Sequence, residues 1–150
     1  DGVTPLFMAC QNGHLECAQL LLEAGAAVGQ ADEDGATPLY IACEKGHLDV
    51  ARLLFEAGAA VNQANVNGAT PLYIACQNGH LECAQLLRGA GADINQARTD
   101  GTTPLYIACQ NNYPEIARLL LATDADINQA MNDGTTPLYI ASQNGHRQAA

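Results

Sequence analysis

Apolar residues recur along this chain with a short period nested in a long one. Within residues 38–45, Leu39, Ala42 and Cys43 fall at helical spacing and make one apolar stripe. Within residues 48–56, Val50, Ala51, Leu53 and Leu54 make a second. Thr37 is placed to cap the first helix. Pro38 takes its opening position, where the missing N–H costs nothing. Gly46 predicts a left-handed stop for that helix, and Gly58 a stop for the next. The second helix is expected from about Leu48 to Glu56, with Asp49 in the first turn, where the helix dipole favours a negative charge. Asp34-Gly35 and Asn67-Gly68 are tight-turn signals, with an extended loop leading from Gly58 to the second of them.

The long period is 33 residues. The phrase Thr37-Pro38-Leu39-Tyr40-Ile41-Ala42-Cys43 recurs, nearly unchanged, from Thr4, Thr70, Thr103 and Thr136. A fixed period of this length predicts a stacked array rather than one conventional globular core. Helices of eight to ten residues are marginal in water, so each must be stabilised by the next layer. Small residues (Ala42, Cys43) line the first helix and larger ones (Leu53, Leu54) the second. Layers should therefore splay on the second-helix side, giving a curved stack with first helices and turns on the concave face.

The run D-G-x-T-P-L-x-x-A, followed by G-H-L, L-L and G-A-x-x-N, resembles the ankyrin repeat. The resemblance covers residues 1–33, 34–66, 67–99 and 100–132, plus a partial fifth repeat over 133–150, read as one array. It implies an all-α repeat solenoid in which antiparallel helix pairs alternate with projecting β-hairpin loops. It also implies a protein–protein interaction module that binds a protein partner through the concave face and the hairpin tips. A structural spacer within a longer array is the alternative. Carried over by repeat position, the contact residues are Glu33, Asp34, Ala36, Glu44 and Lys45, then Val66, Asn67, Ala69 and Asn78. Asp100, Thr102 and Asn111 follow in repeat four. At the position where the family usually has His, this chain has Phe7, Tyr40, Tyr73, Tyr106 and Tyr139. These aromatics are either packing and hydrogen-bonding groups between repeats, or an aromatic ladder in the groove. The segments Asp93-Ile94-Asn95 and Asp126-Ile127-Asn128 resemble the family context for asparagine hydroxylation.

Some copies depart from the pattern. Asn112-Tyr113-Pro114 replaces Gly-His-Leu, and Asp124 replaces a terminating glycine seen at Gly25, Gly58 and Gly91. Repeat four is therefore expected to be the weaker one. Gly29 stands where Asn62, Asn95 and Asn128 are expected to brace the loops. Gln-Asn recurs at Gln11-Asn12, Gln77-Asn78, Gln110-Asn111 and Gln143-Asn144, broken by Glu44-Lys45. The recurrence fits either recent duplication or a polar ladder that reads a repetitive ligand. The end repeats lack polar outer faces, so the expected state is a monomer with an open end through which copies can associate.

Charge and candidate chemistry add mainly exclusions. Net charge is −10 with six scattered basic residues, which argues against nucleic acid. No apolar run reaches a membrane span. Four of the six cysteines share one repeat position (Cys10, Cys43, Cys76, Cys109), and Cys17 and Cys83 share another. All are expected to be buried, reduced thiols, too far apart between equivalent positions for disulfides, in a cytosolic or nuclear setting. His14, His47, His80 and His146 recur once per layer, so they are expected to brace helices rather than share a metal. Asp32-Glu33-Asp34 lacks calcium-loop spacing and is expected to be a solvated tip. Phosphate-loop and G-x-S-x-G motifs are absent, and the lone serine is Ser142. No enzyme activity and no cofactor are expected.

Overall fold

Threonine begins every first helix. In the computed structural model, which describes residues 2–145, the first helices are α1 (Pro5–Gln11), α3 (Pro38–Lys45), α5 (Pro71–Asn78), α7 (Pro104–Gln110) and α9 (Pro137–Gln143). Each has proline in its opening turn and a threonine just before it in extended conformation. The Thr37, Thr70 and Thr103 hydroxyls accept the N–H of Tyr40, Tyr73 and Tyr106 at 3.1 Å, satisfying donors that the helix cannot satisfy itself. The second helices are α2 (Leu15–Glu23), α4 (Leu48–Glu56), α6 (Leu81–Gly89) and α8 (Pro114–Leu121). They have no side-chain cap, but each carries an acid in its first turn: Glu16, Asp49, Glu82 and Glu115.

Each of α1, α3, α5 and α7 packs on the second helix that follows it and beside the first helix of the next layer. First helices lie closer to one another than second helices do, as the small Ala and Cys residues dictate. The core is one continuous cluster. Leu39, Leu72 and Leu105 fill it from the first helices, and Leu54, Leu87 and Leu120 from the second. Full burial of each such leucine contributes about 2 kcal/mol. Leu53 is only partly buried.

Two punctuation positions force left-handed backbone. Gly46 has φ 74° and ends α3. Gly35 has φ 78°, and a Cβ there would lie 3.1 Å from the Val66 nitrogen. Where glycine is missing the backbone is kept: Asn112 has φ 59° and Asp124 has φ 63°. Asparagine and aspartate visit this conformation more readily than other side chains, but at a cost that glycine does not carry. The Thr123 hydroxyl partly compensates by donating to the Leu119 carbonyl at 2.8 Å. Asp124→Gly should therefore raise stability by about 1 kcal/mol in urea titration. In the parent chain, amides of α8 should exchange faster than those of α6; equal protection would refute a weak fourth repeat.

One expectation is corrected. The loops contain no strand among the described residues. Each is a tight turn closed by one flanking pair, such as Asp32 N–H to the Ala36 carbonyl at 3.0 Å. A longer ladder cannot form, because the next residues are the capping threonine and a proline with no N–H. No helix among the described residues is long and apolar enough to cross a membrane. The end of repeat five, including His146 and Arg147, lies outside the described residues.

Candidate protein-binding surface

The turn tips are built by side chains that fold back on the backbone. Asp32 Oδ1 accepts the N–H groups of Asp34 at 3.0 Å and Ala36 at 2.8 Å. Asn65 does the same for Asn67 and Ala69, both at 3.0 Å. The equivalent positions in the next two tips are Arg98 and Met131, which have no acceptor. There the acceptor moves along the chain. Asp100 Oδ1 takes the Thr102 N–H at 2.9 Å, and Asp133 Oδ1 takes that of Thr135 at 2.9 Å. Burial works to raise the Asp100 pKa, but the Thr102 hydrogen bonds and nearby Arg98 outweigh it, so the carboxyl sits below its ordinary range. The Thr135 hydrogen bonds lower Asp133 likewise.

Consecutive tips are joined backbone to backbone. Val66 N–H donates to the Asp34 carbonyl at 2.9 Å, Thr99 to Asn67 at 3.0 Å, and Asn132 to Asp100 at 3.1 Å. The result is a row of tips held at fixed spacing. Glu33, Asp34, Val66, Asn67, Thr99, Asn132 and Asp133 are exposed along it, with Asp100 half-buried. Ala36, Ala69 and Thr102, expected among the contacts, are buried beneath the turns instead.

The aromatic ladder is corrected. Tyr40, Tyr73 and Tyr106 are core residues, with Tyr73 only 1% exposed, whereas Tyr139 is 59% exposed. The hydroxyls of Tyr40 and Tyr73 reach the following tip. Asn65 Nδ2 donates to the Tyr40 oxygen at 3.4 Å, and the Tyr73 hydroxyl meets Thr102 Oγ1 at 3.3 Å. Burial pushes the Tyr40 pKa up to about 12 and raises that of Tyr106. Tyr40 and Tyr73 tie their first helices to the next turn, Tyr106 is buried like them, and of the four Tyr139 alone is exposed. A residue that sequence reasoning missed is Arg98. Its guanidinium lies 5.5 Å from the Tyr73 ring centre and 3.3 Å from Asp100. Nothing in the sequence marked it, because the other copies have Asp, Asn or Met there.

The Gln-Asn ladder is also partly structural. Asn78, Asn111 and Asn144 donate through Nδ2 to the carbonyls of Glu44, Gln77 and Gln110 in the preceding layer, at 3.1, 2.9 and 3.2 Å. Asn78 and Asn111 are exposed, yet their amides are engaged in register. Lys45 is exposed and paired with Glu44 at 3.0 Å. The loop asparagines brace forward: Asn62 Oδ1 accepts the Asp93 N–H and Asn95 Oδ1 that of Asp126, both at 2.8 Å. Gly29 cannot do this.

His47 and His80 brace helices, as expected. Their Nε2 atoms donate to the carbonyls of Gln11 at 3.2 Å and Glu44 at 3.0 Å. No three His, Cys, Asp or Glu side chains gather as a metal site among the described residues. Of the cysteines, Cys17 is exposed, contrary to expectation, while the other five are buried. Burial pushes the Cys10 pKa up to about 12 and raises those of Cys76 and Cys109.

A solenoid of short helix pairs with a rigid row of projecting turns defines a repeat scaffold whose open surface lies along the stack. A family model described as ankyrin repeats, in three copies, matches residues 1–65, 29–98 and 86–150. The chain belongs to the ankyrin-repeat family, whose repeats are generally protein interaction modules and generally non-enzymatic. A stretch of 30 residues is 63% identical to a protein described as "Probable E3 ubiquitin-protein ligase XBOS32" from Oryza sativa subsp. japonica. That match covers 20% of this chain and 6% of the rice protein, a likeness about one repeat long.

Proposed function

We propose that this array binds a protein partner along the face formed by its turn tips and first helices. The supporting observation is the tip-to-tip backbone ladder. It fixes exposed side chains at Glu33, Asp34, Val66, Asn67 and Thr99 in advance, so binding costs little ordering entropy. Acids at Glu33 and Asp34 lie on the tip beside the exposed apolar Val66, half-buried Asp100 on the tip at its other side, and exposed Asp133 one tip further. A partner segment that places basic side chains around a small apolar contact fits this row. Tyr139 extends it at one end.

The test is a capture experiment from native extract with three proteins: the parent chain, a tip variant (Glu33→Lys, Asp34→Lys, Val66→Asp), and an outer-helix control (Glu56→Lys). The tip variant should lose at least tenfold of the captured partner at unchanged helicity. The control should retain it. Equal capture by all three would remove the tips from the interface.

A further inference from the structure

Asparagine is followed by glycine at four places: Asn12-Gly13, Asn67-Gly68, Asn78-Gly79 and Asn144-Gly145. Glycine has no side chain to shield its nitrogen, which can therefore attack the carboxamide carbon of the asparagine before it. All four asparagines are exposed. The fold nevertheless divides them. Asn12, Asn78 and Asn144 lie at helix C-termini, and their Nδ2 atoms donate to the carbonyls of Met8 at 2.9 Å, Glu44 at 3.1 Å and Gln110 at 3.2 Å. Asn67 lies on a turn tip, and its carboxamide has no hydrogen bond among the described residues.

The peptide group joining Asn67 to Gly68 differs in a second way. Its oxygen accepts twice from Thr99, one repeat on: from the backbone N–H at 3.0 Å and from Oγ1 at 3.2 Å. The matching carbonyls of Asp34 and Asp100 take the N–H of Val66 and Asn132. Valine has no hydroxyl to add, and the Asn132 amide turns instead to the Thr99 carbonyl at 3.0 Å. Two donors on one carbonyl draw electron density from its nitrogen, so the Gly68 N–H becomes more acidic.

We propose that Asn67 is a self-modifying site, which deamidates ahead of the others because its carboxamide is free and Thr99 activates the nitrogen that attacks it. The Gly68 N–H first gives up its 2.9 Å bond to the Asn65 carbonyl, which requires opening one exposed turn. The glycine N–H groups at the other three sites bond the Cys10, Ala75 and Ser142 carbonyls, so they are released only as a helix end frays. Hydroxide removes the Gly68 proton, and the nitrogen attacks Cγ of Asn67. The Cγ–Nδ2 bond breaks, and Nδ2 leaves as ammonia with a proton from water, which restores the hydroxide. Water then opens the succinimide ring at either carbonyl, giving aspartate or isoaspartate. One water is consumed and one ammonia released, with no change of oxidation state. The aspartate product matches Asp34, Asp100 and Asp133 at the other tips and sets a new negative charge beside Val66. Its effect on a basic partner rests on the binding face proposed above; the reaction does not.

The test is incubation of the whole chain in mildly alkaline buffer, sampled over time by peptide mass spectrometry. Asn67 should exchange its amide for an acid faster than Asn12 and Asn78 by about tenfold or more, a factor that one lost hydrogen bond and a frayed helix end together supply. In urea, which removes the fold, the three should react at similar rates. Thr99→Val keeps the backbone N–H bond but loses the hydroxyl, and it should slow Asn67 alone; a merely looser tip would speed it. The proposal is overturned if Asn67 keeps its amide, if Asn12 or Asn78 keeps pace with it in the folded chain, or if Thr99→Val reacts as fast as the parent. Peptide masses are read without any partner, so failure here and failure of the binding face are separate results.

Discussion

Tyr73→Ala is expected to destabilise the array by about 3–5 kcal/mol, the cost of deleting a buried aromatic ring and leaving a cavity between layers. Tyr73 is 1% exposed, its hydroxyl meets Thr102, and Arg98 lies over its ring. The substitution therefore removes packing inside repeat three and a link to the turn of repeat four together. Tyr73→Phe separates these contributions. It keeps the ring and should cost about 1 kcal/mol, the worth of the hydroxyl contacts. Tyr139→Ala should leave stability nearly unchanged, because that ring is 59% exposed. Urea titration followed by circular dichroism checks all three. If Tyr73→Ala were as stable as Tyr139→Ala, the tyrosines would not be the links between layers described above.

The second large effect belongs to a glycine. Gly46→Ala should cost about 3 kcal/mol, of which 1–2 comes from forcing alanine into left-handed backbone and the rest from displacing a neighbour. That neighbour is the His80 ring, which a Cβ at this position would approach to 2.6 Å. The ring cannot swing away without giving up its 3.0 Å bond to the Glu44 carbonyl. Gly58→Ala is the matched comparison. Its φ is 91° but nothing lies within 4 Å, so only the backbone strain remains. A double-mutant cycle with His80→Ala should show coupling: once the ring is absent, Gly46→Ala should cost no more than Gly58→Ala. Additive costs would mean that the ring does not enforce glycine here.

Gly46 and His80 also mark how far sequence reading reaches. That a glycine ends α3 followed from local chemistry, since only a residue tolerant of positive φ stops a helix this way. That the same glycine must make room for an imidazole one layer on did not follow, because those residues are separated by a full repeat period. Asn78 shows the same division. Its recurrence was visible, but its donation to the Glu44 carbonyl depends on how two layers register. The tip row was legible as a set of positions, whereas its backbone ladder was not. The Asp100 carboxylate takes over turn closure because Arg98 cannot, an exchange visible only once both are seen around one turn.

The period, the threonine caps, the prolines, the glycine stops and hence the helix-pair solenoid are all written in local sequence. Each rests on the conformational preference of one or two residues, repeated until no other fold fits. Which side chains face outward is decided by stacking. His14-Leu15-Glu16-Cys17-Ala18-Gln19-Leu20-Leu21 and His80-Leu81-Glu82-Cys83-Ala84-Gln85-Leu86-Leu87 are the same sequence. Yet Cys17 is exposed and Cys83 is buried. The tyrosines divide in the same way, with Tyr73 enclosed and Tyr139 open. Burial in a solenoid is conferred by the adjoining layer, so identical segments acquire different chemistry according to what stacks upon them.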